Sequence, residues 1–138
     1  MAASISVLIS FTALTLALAM TYVLYRVALV LSFKAKANSW TRNAQQWQNP
    51  VWVTRFEHMH ANALENLPVY AAVVLAASLT NQLGVVDPLA WIYFAFRIGQ
   101  VVVHAISTSP LFVFLRANML LGQWVCLVYW ILAIAGLI

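Results

Sequence analysis

Four long apolar stretches, separated by three polar breaks, run the length of this chain. The first extends from about Ile5 to Phe33 and carries one charge, Arg26. Polar residues dominate from Lys34 to Pro50, among them Lys36, Asn38, Arg42, Asn43, Gln45, Gln46, Gln48 and Asn49, so this segment reads as a loop. The second stretch runs from about Trp52 to Leu79; its first half is polar, and no charge occurs from Asn66 to Val86. Asn81, Gly84, Asp87 and Pro88 act as breakers, which predicts a turn over Thr80–Pro88. The third stretch runs from about Leu89 to Ser107, Ser107-Thr108-Ser109-Pro110 marks another turn, and the fourth covers about Leu111 to Leu137. A helix crosses the hydrocarbon core with about 20 apolar residues. The pattern predicts an all-α membrane protein, a single four-transmembrane-helix bundle over residues 1–138.

Composition agrees with a bilayer as solvent. Of 138 residues, 64% are hydrophobic and 7% charged, against about 25% charged in soluble domains. A soluble chain this short has too much surface for its volume to hide that much apolar side chain. The net charge of +4 comes from basic residues scattered along the chain with no basic run, so no nucleic-acid footprint is present. Their distribution reads instead as topology. Lys34, Lys36, Arg42 and Arg55 flank the first connection and Arg116 the third, while the N-terminus, the 80–88 turn and the C-terminus have none. Basic connections stay cytoplasmic, so both termini are expected on the non-cytoplasmic side, of a bacterial inner membrane or of the ER. Residues 1–25 lack Lys and Arg, so the first stretch is read as a retained span and not a signal peptide. The one cysteine, Cys126, sits in an apolar run and reads as a buried structural thiol.

Charged residues inside spans are expensive and mark candidate sites. Positions 3, 4 and 7 apart share a helix face. In span two, Arg55, His58, Asn62, Glu65 and Asn66 are spaced by 3, 4, 3 and 1, whereas Glu57 and His60 fall on other faces. In span three, Tyr93, Arg97, Gln100, His104 and Ser107 form one stripe at spacings of 4, 3, 4 and 3. Arg116 and Gln123 share a face of span four, as Tyr22 and Arg26 do in span one. All these groups lie toward the ends that carry the basic connections, and the opposite leaflet has almost none. The pattern predicts one polar pocket with three guanidinium groups, two imidazoles and one carboxylate. Arg binds carboxylates through a two-point fork, so the pocket suits a small peptide-like anion with two carboxylates and one amine. The competing reading is glue: Arg97 pairs with Glu65 and binds the helices together, while Arg26 and Arg116, without acid partners, snorkel to headgroups. No third ligand converges with His58 and His60, so no metal site is expected. Trp40, Trp47, Trp52 and Trp91 read as interfacial anchors.

The run His60-Ala61-Asn62-Ala63-Leu64-Glu65-Asn66-Leu67-Pro68 resembles the second-helix signature of the membrane-associated proteins in eicosanoid and glutathione metabolism, and the short loops and the Glu65-Asn66-Leu67-Pro68 variant lean toward a bacterial member. Arg97 followed by His104, Arg116 near the start of span four and Arg26 near the end of span one are similar to basic positions of that family. The resemblance covers most of the chain. It implies a homotrimer, with glutathione bound between protomers and an Arg of the fourth helix stabilising its thiolate. Carried over residue by residue, it implies Arg116 as the catalytic group and Arg26, Asn62, Glu65, Arg97 and His104 as glutathione-binding; His58 joins the candidate binding residues from its place on the span-two stripe. The chain departs from the catalytic pattern in three respects: Ala61 and His58 stand where relatives often carry Arg, and the Tyr that often helps near the thiol has no clear match, with His104 and Leu120 at the candidate positions.

The expected function is an integral-membrane glutathione transferase or peroxidase that meets hydrophobic electrophiles or lipid hydroperoxides in the bilayer. Its expected partners are membrane lipids, glutathione and a hydrophobic small-molecule substrate. The alternative is a non-catalytic lipid-binding or scaffold protein of the same fold. An ion pathway through Glu65 and His104 is disfavoured because polar residues do not continue into the outer half.

Overall fold

Helix α1 covers Ala3–Leu31, α2 Val51–Leu79, α3 Leu83–Ile106 and α4 Pro110–Ile134 in a computed structural model that describes residues 1–41 and 47–138. All four helices are long and apolar enough to cross a membrane. The 29 residues of α1 extend roughly 43 Å at about 1.5 Å per residue, more than the ~30 Å hydrocarbon core, so its ends reach the headgroups. Leu16, Leu24 and Val27 of α1 and Leu121, Val125 and Val128 of α4 point outward and are exposed; lipid chains suit such a surface and water does not. The protein is a multi-pass, four-helix membrane bundle. Arg42, Asn43, Gln45 and Gln46 of the expected loop lie outside the described residues.

The boundary between α2 and α3 differs from the sequence expectation. The turn holds only Thr80–Gln82, and α3 begins at Leu83 instead of Leu89. Asp87 does not break the helix because its carboxylate is used: Oδ1 accepts from Ser4 N–H at 2.9 Å and Ser4 Oγ at 2.6 Å. Ser4 N–H is one of the donors that a helix start leaves without an internal partner, and α1 has no side-chain cap of its own. The cap therefore comes from another helix. Pro88 costs only the bond to the carbonyl of Gly84, in a turn near the helix end. The longer α3 places Arg97 just past the middle of its 24 residues, not toward one end. The half of the bundle away from the basic connections is also less apolar than expected, since Ser4, Tyr70 and Asp87 form a closed cluster there in which Tyr70 Oη donates to Ser4 O at 3.1 Å.

Four aromatic rings hold the bundle centre. Tyr70 and Tyr93 stack at 4.6 Å, Trp130 packs on both at 5.9 and 5.6 Å, and Phe11 closes the group at 6.5 and 6.3 Å. All four are fully buried. Helices α3 and α4 approach closely through glycine. A Cβ on Gly122 would stand 2.9 Å from the Phe96 ring, and one on Gly99 3.0 Å from Met119. Small residues let helices come together where the hydrophobic effect gives no drive between them.

Candidate functional site

At the end of the bundle where α2 and α4 begin and α3 finishes, the helices enclose a cavity of about 400 Å³. Each helix contributes one face. His58, Ala61, Asn62 and Glu65 come from α2, Gln100 and His104 from α3, and Val113, Arg116, Ala117 and Leu120 from α4. The spacings of 3, 4 and 7 that bring them together are those of a single helical stripe. His58 and Glu65 are exposed to the cavity mouth and Arg116 is half-buried. None of the three has a hydrogen-bond or ion-pair partner among the described residues. The His58 and His104 rings lie 6.3 Å apart.

Arg97 stands behind this wall and does not line it. It is 1% exposed, and Nη1 donates to Asn62 Oδ1 at 2.6 Å and to Gln100 Oε1 at 2.9 Å. Its guanidinium lies 4.9 Å from the Phe11 ring centroid. An Arg at the bilayer centre costs about 3 kcal/mol on insertion scales, and hydrogen bonds from a charged donor contribute about 1.5–3 kcal/mol each. The two amides therefore offset the burial without an acid. The Arg97–Glu65 pair expected from the glue reading does not form, because Asn62 and Gln100 take Nη1 and Glu65 turns to the cavity.

Arg26 is also placed differently from the expectation. It forms an ion pair with Glu57, and its guanidinium lies 5.0 Å from the Tyr22 ring and 5.4 Å from Trp40. Helix α1 packs against the Glu57 face of α2, so the acid thought to sit elsewhere is the partner of Arg26. Asn49 ties the loop into this pair, donating to Glu57 Oε1 at 3.1 Å and accepting from Trp40 Nε1 at 3.2 Å. Arg26 lines a second cavity, with Val23, Val27, Val30 and Trp40, away from the first. Arg55 leaves its stripe as well: its Nη1 donates to the carbonyls of Ala105 and Ile106 at 2.9 and 3.1 Å, capping the end of α3. His60 pairs with Tyr22 Oη through Nδ1 at 2.8 Å, a packing role in keeping with its position off the stripe.

Of the residues the sequence singled out for the site, then, His58, Asn62, Glu65, His104 and Arg116 share one cavity. Arg97 supports it from behind, and Arg26 lies apart. The profile of the MAPEG family matches residues 5–136 of this chain. The chain belongs to the MAPEG family. No curated protein and no solved structure gives a match to it. As a MAPEG member it is a membrane protein of the eicosanoid and glutathione metabolism family.

Some residues of this MAPEG cavity were not picked out by sequence. Gln100 was on the Tyr93–Ser107 stripe and carried the necessary signal, since it lies 3 residues from Arg97 and 4 from His104. Val113 and Ala117 share the Arg116 face, but an apolar residue in an apolar helix gives no sign of facing a cavity; Leu120, a candidate position for the missing Tyr, lines it too.

Proposed function

We propose that this MAPEG protein is an integral-membrane, glutathione-dependent transferase or peroxidase acting on hydrophobic electrophiles or lipid hydroperoxides. The observation that carries the reading is Arg116, a guanidinium with no protein partner among the described residues, in a cavity whose one carboxylate is Glu65. A cavity of about 400 Å³ falls within the roughly 300–1,000 Å³ range of small-ligand sites. Its lining offers cationic and amide donors with a single acid, which fits a peptide bearing two carboxylates and one ammonium.

Glutathione supplies the thiol that becomes the nucleophile. The chain's own residues supply its binding and its charge state. Arg116 would stand beside the sulfur and favour its deprotonated form, as positive neighbours do for thiols, and would stabilise the negative charge it carries. Glu65 accepts from the ammonium group. Asn62 holds a peptide carbonyl, and His58 and His104 line the route of the carboxylates. Val113, Ala117 and Leu120 give the hydrophobic substrate an apolar approach from the bilayer.

Arg26 belongs to the same proposal through assembly. It lies outside the cavity of its own protomer, and in the homotrimer implied by the family it reaches a glutathione site from a neighbouring protomer. Both termini lie on the non-cytoplasmic side, so the cavity opens to cytosolic glutathione, in a bacterial inner membrane or the ER. One observation favours a second reading. Ala61 sits in the cavity wall where catalytic relatives often carry Arg, and this weakens anion binding in the direction of a non-catalytic lipid-binding or scaffold member. Calorimetric titration of glutathione into the detergent-purified protein separates the two. Saturable binding that is lost in Arg116→Ala supports the enzyme; no heat at millimolar glutathione supports the scaffold.

A further inference from the structure

We infer that Arg97 fixes which end of each cavity amide faces the ligand, and so makes the α2–α3 wall selective for groups that present oxygen acceptors. A guanidinium has only donors. Whatever amide atom lies within hydrogen-bond distance of Arg97 Nη1 must therefore be oxygen, and this holds for Asn62 Oδ1 at 2.6 Å and for Gln100 Oε1 at 2.9 Å. Nη1 carries two hydrogens, one for each amide. Gln123 reinforces the same direction: its Nε2 donates to Gln100 Oε1 at 3.1 Å and to the Met119 carbonyl at 3.1 Å. Gln100 Oε1 thus receives two donors and cannot turn outward without leaving both unmet in the bundle core.

With both oxygens turned inward, the amide nitrogens are left for the cavity that Asn62 and Gln100 line. Neither Asn62 Nδ2 nor Gln100 Nε2 makes a hydrogen bond among the described residues. The two amides therefore donate to the cavity and do not accept, even though amides in general do either. Glu65, one helical turn beyond Asn62, is the acceptor left on α2. The consequence is a direction: ligand carbonyl or carboxylate oxygens meet Asn62 and Gln100, and an ammonium meets Glu65. Arg97 itself never touches the ligand. It is a positioning residue: among the described residues its Nε and Nη2 make no hydrogen bond, and its Nη1 bonds go to the two amides.

The inference rests on the glutathione reading only for its probe, and a ligand-free measurement tests it separately. The full chain, solubilised in detergent with nitrogen-15 in its Asn and Gln side chains, would be examined by NMR with a soluble paramagnetic agent. In the wild type the Asn62 and Gln100 amide protons, identified through Asn62→Ser and Gln100→Ser, should relax faster on addition of the agent. Arg97→Lys, still a donor-only cation, should keep that pattern and bind glutathione within about threefold of the wild type, whereas Arg97→Met, which frees the amides to turn, should lose at least about half of the enhancement and bind about tenfold more weakly. Where the Met variant does not fold, Arg97→Gln, which donates or accepts, takes its place with the same expectation. A folded Met or Gln variant with wild-type relaxation and affinity overturns the inference, as does a Lys variant that behaves like Met. A wild type that binds no glutathione removes the proposed function, and the relaxation pattern still decides the role of Arg97.

Discussion

Along α2, Glu57 and His60 face α1 and are both partnered, by Arg26 and by Tyr22, whereas His58 and Glu65 face the cavity and have no partner among the described residues. The two faces belong to one helix and lie within three turns of each other. Their residue types are the same: one imidazole and one carboxylate on each. What separates them is the neighbour. Helix α1 brings a guanidinium and a phenol to its face, and the pairs close. On the other face α3 and α4 leave space of about 400 Å³, and the polar groups stay available. Composition alone does not tell a structural polar group in a membrane from a functional one; partnering does.

The comparison can be broken first on the cavity side. Arg116→Ala should lower glutathione affinity on the order of a hundredfold, since a charged hydrogen-bonded contact contributes up to about 3 kcal/mol, yet leave unfolding in detergent close to the wild type. Titration calorimetry beside a thermal melt checks both halves. A comparable loss of stability would mean that Arg116 holds the fold, as Arg55 does at the end of α3.

On the partnered side the signs reverse. Asp87→Ala removes both bonds to Ser4 and should cost about 2 kcal/mol of stability without altering glutathione affinity, read from unfolding in mixed micelles. Glu57→Gln should cost about 1 kcal/mol, because the pair with Arg26 is only partly screened from solvent; its side chains are 28% and 25% exposed. Tyr22→Phe should have the smallest effect, about 1 kcal/mol or less for one neutral hydrogen bond to His60. Asp87→Ala or Tyr22→Phe weakening glutathione binding in step with its stability loss would merge the two faces into one system.

Much of this was legible in the residues. Four spans followed from the lengths of the apolar runs, and six cavity residues, Gln100 among them, lay on stripes drawn from spacings of 3, 4 and 7 on three helices. What was not legible depended on which helices are neighbours. Glu57 was off the stripe of His58 and Glu65, and only the packing of α1 against that face makes it the partner of Arg26. Arg55 was on the stripe, but the end of α3 arrives within reach and its free carbonyls take the guanidinium. Asp87 and Pro88 looked like breakers because local propensity was all there was to judge by, and the carboxylate's use by Ser4 is a tertiary fact. Arg97 was placed at the pocket by its period, and depth behind the wall is not contained in a period.

The clasp between Ser4 and Asp87 joins positions 83 residues apart. During synthesis it forms only after the third span has left the ribosome, since its acceptor lies at the start of α3. Until then the first span sits in the membrane with its leading end unsecured, free to tilt or to meet other partners. Joining these two ends is a late step of assembly, and it registers that the first and third spans have entered side by side and in the same sense. A chain whose third span fails to insert keeps its first span but never locks it, which leaves a loose amino end as the mark of an incomplete bundle.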